Sequence, residues 1–246
     1  MFPIRDHNPS RRTPYVTWAL IALNCAIWLL GLATLPDDRA LAAFYDAWAL
    51  IPAEVTSGRD VHGVFTSMFL HAGLLHLAGN MLFLWVFGDN LEDQMGHLGF
   101  LTFYLAAGLA AAAAHIIPDP SSRIPTVGAS GAIAGVMGGY LLLFPRARID
   151  VFFFFVVFFR IIPIPAWIVL GLWFALQVAG GWGMPLESGG VAYWAHAGGF
   201  AAGILLTLPL WLRRGGPAFW QGTHGVPPHP DAVYARSTIP VVPRRR

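Results

Sequence analysis

Residues 191–212 read VAYWAHAGGFAAGILLTLPLWL, and this run decides the fold. It holds no Asp, Glu or Arg over a length that covers the roughly 20 residues a helix needs to cross a bilayer. Reading outward, five further apolar stretches of similar character precede it: Tyr15 to Thr34, Leu74 to Gly88, Leu98 to Ile117, Ser130 to Phe144 and Ile164 to Ala179. The second and fourth of these are short. The composition agrees, with 56% apolar and only 11% charged residues. Soluble domains carry about 25% charged residues, and a water-soluble chain of this kind would lack the polar surface to cover itself. Sustained apolar–polar alternation, the mark of a membrane barrel, is absent. The expectation is an all-α membrane protein with six transmembrane helices.

The connecting stretches set the organisation. Val151–Phe159 (VFFFFVVFF) is apolar but too short to span, and Arg160, Pro163 and Pro165 separate it from the fifth span. Proline suits the first turn of a helix. Residues 151–162 are therefore expected to be an interfacial or loop segment, with the fifth helix starting near Pro163. The chain divides into a short N-terminal tail (1–14), a six-helix core (15–212) and a Pro- and Arg-rich tail (213–246) expected to be disordered. No small-residue cleavage pattern follows 1–14, so the first apolar stretch reads as retained.

All fifteen basic residues are Arg. Most lie in three regions that an even number of spans places on one side: Arg5, Arg11 and Arg12; Arg146, Arg148 and Arg160; Arg213, Arg214, Arg236 and Arg244 to Arg246. The positive-inside rule makes that side, with both termini, cytoplasmic. The loop GDNLEDQMGH after the second span carries acids and no Arg, which weigh little in that rule. A net charge of +2 without a basic, aromatic-laced stripe argues against a nucleic-acid partner. The single Cys25 excludes a disulfide framework within the chain and a Cys-based metal site.

Polar side chains inside spans are costly and therefore informative. His76 and Asn80 share one face of the second span, being four residues apart. Ser130 lies in Gly128-Ala129-Ser130-Gly131-Ala132 at the start of the fourth, and His196 in Trp194-Ala195-His196-Ala197-Gly198-Gly199 early in the sixth. Spans two, four and six run in the same direction, and each carries its polar residue near its beginning. At about 1.5 Å per residue, all four side chains fall in one shallow layer on the side opposite the arginines. Gly131, Gly135, Gly138 and Gly139 line the fourth span, and Ala195, Gly199, Ala202 and Gly203 the sixth. Small residues at such spacing let membrane helices approach closely.

Those residue types suit acyl transfer. A serine hydroxyl needs an adjacent base to become a nucleophile, and His196 is the candidate. Asn80, His76 and the Ser130 backbone N–H are candidate donors to an oxyanion. No Asp or Glu lies deep in any span, which points to a Ser130–His196 dyad rather than a triad. His71 and His76 lack the His-Glu-x-x-His pattern of zinc proteases, and Asp89 lacks the second membrane aspartate of an aspartyl protease.

His76-Leu-Ala-Gly-Asn80, Gly128-Ala-Ser130-Gly131 and Ala195-His196-Ala-Gly-Gly199 resemble the three signatures of rhomboid intramembrane serine proteases, in the family's order and on matching helices. The resemblance covers about 15–212 and is to the bacterial type with a six-helix core. It implies a rhomboid-like bundle; Ser130 as nucleophile and His196 as base; His76, Asn80 and the Ser130 amide as the oxyanion hole; and supporting roles for His71, Gly128, Gly131 and Gly199. It further implies a water-filled cavity open to the outer side, a gate formed by the fifth helix with the loop 180–190 as cap, single-span membrane proteins as substrates, a bacterial plasma membrane as location, and no cofactor or metal. Ala134 stands where some members place a tyrosine that stacks on the catalytic histidine, which leaves open what holds His196. A non-catalytic relative that binds membrane clients is the alternative, although such relatives typically lose the serine or histidine. A small-solute transporter would show paired broken helices in an internal repeat, and no repeat is evident.

Overall fold

The computed structural model describes residues 2–8, 10–155, 158–183 and 190–226. In chain order its elements are β1 (Phe2–Asp6), α1 (Tyr15–Thr34), α2 (Asp38–Trp48), α3 (Pro52–Thr56), α4 (Gly63–Thr66) continued by a 3-10 turn (Ser67–Phe69), α5 (Leu74–Met95), α6 (His97–Ile116), α7 (Ser130–Leu143), β2 (Arg148–Phe155), β3 (Phe158–Pro165), α8 (Ala166–Gly183), α9 (Tyr193–Arg213) and α10 (Pro217–Thr223). Apolar helices thus stand at each of the six places read from the sequence. Four of them (α1, α6, α8 and α9) are long and apolar enough to cross a bilayer, and α5 qualifies together with the short helix before it, which meets it at a 90° bend.

α7 has 14 residues. At about 1.5 Å each it is ~21 Å long, short of a ~30 Å hydrocarbon core. It compensates by being central: Gly131 through Tyr140 are all buried, enclosed by α5, α6, α8 and α9. The small residues make this possible. A Cβ on Gly203 would lie 1.9 Å from the Gly135 carbonyl oxygen, and one on Gly199 2.1 Å from that of Gly131. α7 and α9 therefore pack backbone to backbone, where dispersion is strongest.

α5 runs seven residues beyond the Gly88 expected as the end of the second span, to Met95. Its polar end stays helical because its polar groups are paired. Glu92 accepts from Val16 N (2.9 Å), Thr17 N (2.8 Å) and Thr17 Oγ1 (2.7 Å), so it caps the start of α1. It also meets His97 Nδ1 at 2.6 Å. Asn90 Nδ2 donates to Asp6 Oδ2 at 2.8 Å and to the Asn8 carbonyl at 3.1 Å.

Two expectations about the connecting stretches are corrected. Residues 151–155 and 158–162 are not a loop: they belong to two antiparallel strands, β2 paired with β3, and α8 starts at Ala166 rather than near Pro163. Aromatic and β-branched residues favour a pleated surface, and the two prolines are tolerated because β3 is an edge strand. The N-terminal tail contributes a third strand. β1 pairs with the other edge of β2, with Arg5 opposite Asp150. The Arg5 Nη2–Asp150 Oδ2 ion pair spans 2.8 Å, and His7 Nε2 lies 2.6 Å from Asp150 Oδ1. The tail after 212 holds α10, whose Trp220 Nε1 donates to the Leu142 carbonyl at 2.9 Å. The remainder of that expected disordered tail, from 227 on, lies outside the described residues.

Candidate active site

Three helix starts converge on a cavity of about 630 Å³. Its lining includes His76 and Asn80 from the first turns of α5, Ser130 from the first residue of α7 and His196 from the first turn of α9. The four residues that the shared-depth reading placed in one layer thus face one space. That space lies at the opposite end of α5 and α7 from the sheet, which is held by Asp6 against Asn90 and Tyr140.

Ser130 Oγ and His196 Nε2 are 2.8 Å apart, within hydrogen-bond distance across α7 and α9. The other ring nitrogen, Nδ1, lies 2.8 Å from Gln177 Oε1 on α8. An amide oxygen only accepts, so Nδ1 carries the proton and Nε2 presents its lone pair to the serine hydroxyl. The Gln177 amide is itself oriented, since its Nε2 donates to the Trp173 carbonyl at 3.3 Å. Trp173 also flanks the imidazole, with ring centroids 5.7 Å apart and planes 33° from parallel. Ala134 is fully buried within α7. The ring of His196 is therefore held from α8, by Gln177 and Trp173, and not by a neighbour one turn after the serine.

Asn80 is buried, and its Nδ2 meets no acceptor among the described residues. A buried donor without a partner is costly and rare. Here it lies on the cavity wall, where an anionic oxygen would satisfy it. Ser130 opens α7, and the first N–H groups of a helix have no acceptor within it. They add backbone donors and a favourable dipole at the same place.

The supporting glycines have identifiable tasks. Gly128 has φ +133° and lies where a Cβ would come within 2.9 Å of the His76 imidazole. A side chain there would strain the backbone and displace His76. Its N–H donates to the Ser67 carbonyl at 2.9 Å, which ties the approach to α7 onto the 3-10 turn. Gly131 lets α7 reach α6, where a Cβ would sit 2.6 Å from that of Ala111. His71 is buried behind the site, its ring edge-on to His76 with centroids 5.2 Å apart. His115, in the last turn of α6, also lines the cavity and lies 2.9 Å from Thr126 Oγ1.

Gln177 and Trp173 were not among the candidates. A signal for Gln177 existed, since it is the one polar side chain in 166–179. α8 runs opposite to α5, α7 and α9, so a residue near its end shares their depth. Counting odd spans from their ends would have found it. Of the expected cap, residues 184–189 lie outside the described residues.

A family model described as the rhomboid domain matches residues 58–213. The chain is 32% identical over 198 residues to "Rhomboid protein 1, mitochondrial" of Saccharomyces cerevisiae, covering 77% of this chain and 51% of that one. It is 42% identical over 78 residues to "Rhomboid protease GluP" of Bacillus subtilis, covering 32% of this chain and 15% of that protein. It is 31% identical over 133 residues to "Putative rhomboid protease YdcA" of the same organism, covering 54% and 64%. The chain therefore spans about half the length of the yeast relative, and less of GluP. With the domain match extending over most of its apolar helices, the chain is a multi-pass membrane protein of the rhomboid family.

Proposed function

We propose that the chain is an intramembrane serine endopeptidase that cuts single-span membrane proteins in or near the bilayer, with Ser130 as nucleophile and His196 as base. The observation that carries this reading is the 2.8 Å contact between Ser130 Oγ and a correctly presented His196 Nε2 at the wall of a cavity. As Oγ attacks the scissile carbonyl carbon, its proton passes to Nε2. The carbonyl oxygen becomes anionic beside the Asn80 amide, the His76 ring N–H and the N–H groups that open α7. The imidazolium then protonates the leaving amine, and a water, deprotonated by the same nitrogen, releases the acyl group from Ser130. Among the described residues no Asp or Glu lines this cavity.

The arginine distribution supports an outward-facing site with both termini cytoplasmic, and the resemblance to the bacterial type supports a bacterial plasma membrane as its location. A substrate span reaches the site from the surrounding lipid. The test is covalent labelling of the full chain with a fluorophosphonate, together with cleavage of a single-span substrate in liposomes. The wild type should be labelled and active, and Ser130→Ala should be neither, while still folding. Cleavage by Ser130→Ala at the wild-type rate would refute the reading. A wild type that folds yet neither labels nor cleaves would be a catalytically silent client-binding protein.

A further inference from the structure

The base of a serine protease ordinarily has an acid on its far side, and none of the described residues supplies one here. What stands there is an amide. Gln177 is only 8% exposed and lies on the inward face of a helix whose other face is open, with Val169 and Leu170 buried beside it and Leu172, Leu176 and Trp182 turned outward. An amide turned inward from such a helix is costly unless both its ends are paired. Both are: Nε2 donates to the Trp173 carbonyl, and Oε1 accepts from His196 Nδ1.

We propose, resting on the Ser130–His196 reading above, that Gln177 is a positioning residue that takes the place of the acidic third member by fixing the tautomer of His196. The Trp173 carbonyl can receive only the NH2 end of the amide, so the oxygen must face the imidazole. An oxygen facing Nδ1 favours the tautomer protonated there. That leaves the lone pair on Nε2, the nitrogen that meets Ser130. The alternative tautomer would set two lone pairs against each other at 2.8 Å. When Nε2 takes the serine proton, the Nδ1–H bond to an amide dipole becomes charge-assisted and strengthens. The amide thus does behind the imidazole what a carboxylate does elsewhere, without the cost of a buried anion. Trp173 limits the remaining freedom of the ring from one face. The other titratable side chains of the cavity are His76 on α5, His115 on α6 and Tyr193 on α9.

The test measures the second-order rate of fluorophosphonate labelling against pH in the full chain, because a small probe bypasses substrate entry. Gln177→Leu keeps size but removes the acceptor, and labelling should slow by roughly 10- to 100-fold. Gln177→Glu keeps an acceptor and adds a charge. It should recover most of the rate and move the acidic limb of the profile to higher pH, since a carboxylate on Nδ1–H favours the imidazolium. Wild-type labelling by Gln177→Leu, with an unchanged profile, would overturn the assignment. So would equal slowing in both variants with the acidic limb unmoved, which is the signature of packing alone. If Gln177→Leu does not fold, the acidic limb of Gln177→Glu decides the matter. A wild type that resists the probe altogether counts against the dyad and not against Gln177.

Discussion

At the scale of single residues, the site follows from a few polar groups placed where polar groups are expensive. Asn80 is the sharpest case. Whereas the Nδ2 groups of the buried Asn8, Asn24 and Asn90 and the Nε2 of Gln177 all have acceptors, its own Nδ2 is buried and unpaired. Such a donor is preorganised for an oxygen that becomes negative only as the reaction proceeds. Asn80→Ala should therefore lower kcat by roughly 10²-fold with little change in KM, as loss of one oxyanion donor does. Steady-state cleavage of a single-span substrate measures both constants, and an unaltered kcat would remove Asn80 from the site. Ser130, His196, His76 and Asn80 were legible because helix direction and rise fix depth. Gln177 was not read because the same depth is reached near the end of α8, where no motif marks it. The support of His196 illustrates the difference. The sequence shows only that Ala134 cannot stack on it, while Trp173 and Gln177 reach it from another helix.

At the scale of elements, the contact between α7 and α9 sets the distance between nucleophile and base. It was foreshadowed by glycines at helical spacing, because removing a Cβ is the only way two helix backbones can touch. Gly203 marks the closest point, where an added Cβ would meet the Gly135 carbonyl at 1.9 Å. Backbone cannot give way as a side-chain end does, so Gly203→Ala must push the helices apart. It should cost about 1–3 kcal/mol and reduce labelling of Ser130, which sits near the same seam. Gly171→Ala on α8 is the control, since a Cβ there meets nothing within 4 Å. Thermal unfolding in detergent should show a lowered midpoint for the first variant and an unchanged or slightly raised one for the second. The β2–β3 pair was not legible, for a physical reason. Beyond Asp150 its strands are apolar on both faces except at Arg160, so the period-2 alternation that announces a strand is hidden over most of their length. Its third partner, β1, lies some 145 residues away in sequence.

At the scale of the whole molecule, the chain has two polar ends with different tasks. One end holds the cavity, and the other is closed by the N-terminal strand. There Asp6 accepts from Asn90 and from Tyr140 Oη (2.9 Å), while Asn8 Nδ2 also donates to Tyr140. The sheet is thereby fastened to the far ends of α5 and α7, the helices that carry His76, Asn80 and Ser130. Burial, and then the nearby Asp89 carboxylate, push the Asp6 carboxyl up to about 7, against the lowering pull of its hydrogen bonds from Tyr140 and Asn8. An acid whose folded pKa is raised stabilises the fold while it stays neutral. Its contribution is complete below the ordinary value of 3.8 and is lost as pH rises through about 7. Asp150 works with the opposite sign. Burial raises it, but the bonds from His7 and Arg5 outweigh that and hold it below its ordinary range. Its contribution is therefore already present above pH ~4 and constant through neutrality. Between pH 5 and 8 the anchoring of β1 should accordingly weaken on the alkaline side through Asp6. The midpoint of thermal unfolding in detergent should fall from pH 5 to pH 8 in the wild type, and fall less in Asp6→Asn, whose amide cannot ionise. An equal fall in both proteins would place the pH dependence elsewhere and leave Asp6 a neutral fastening only.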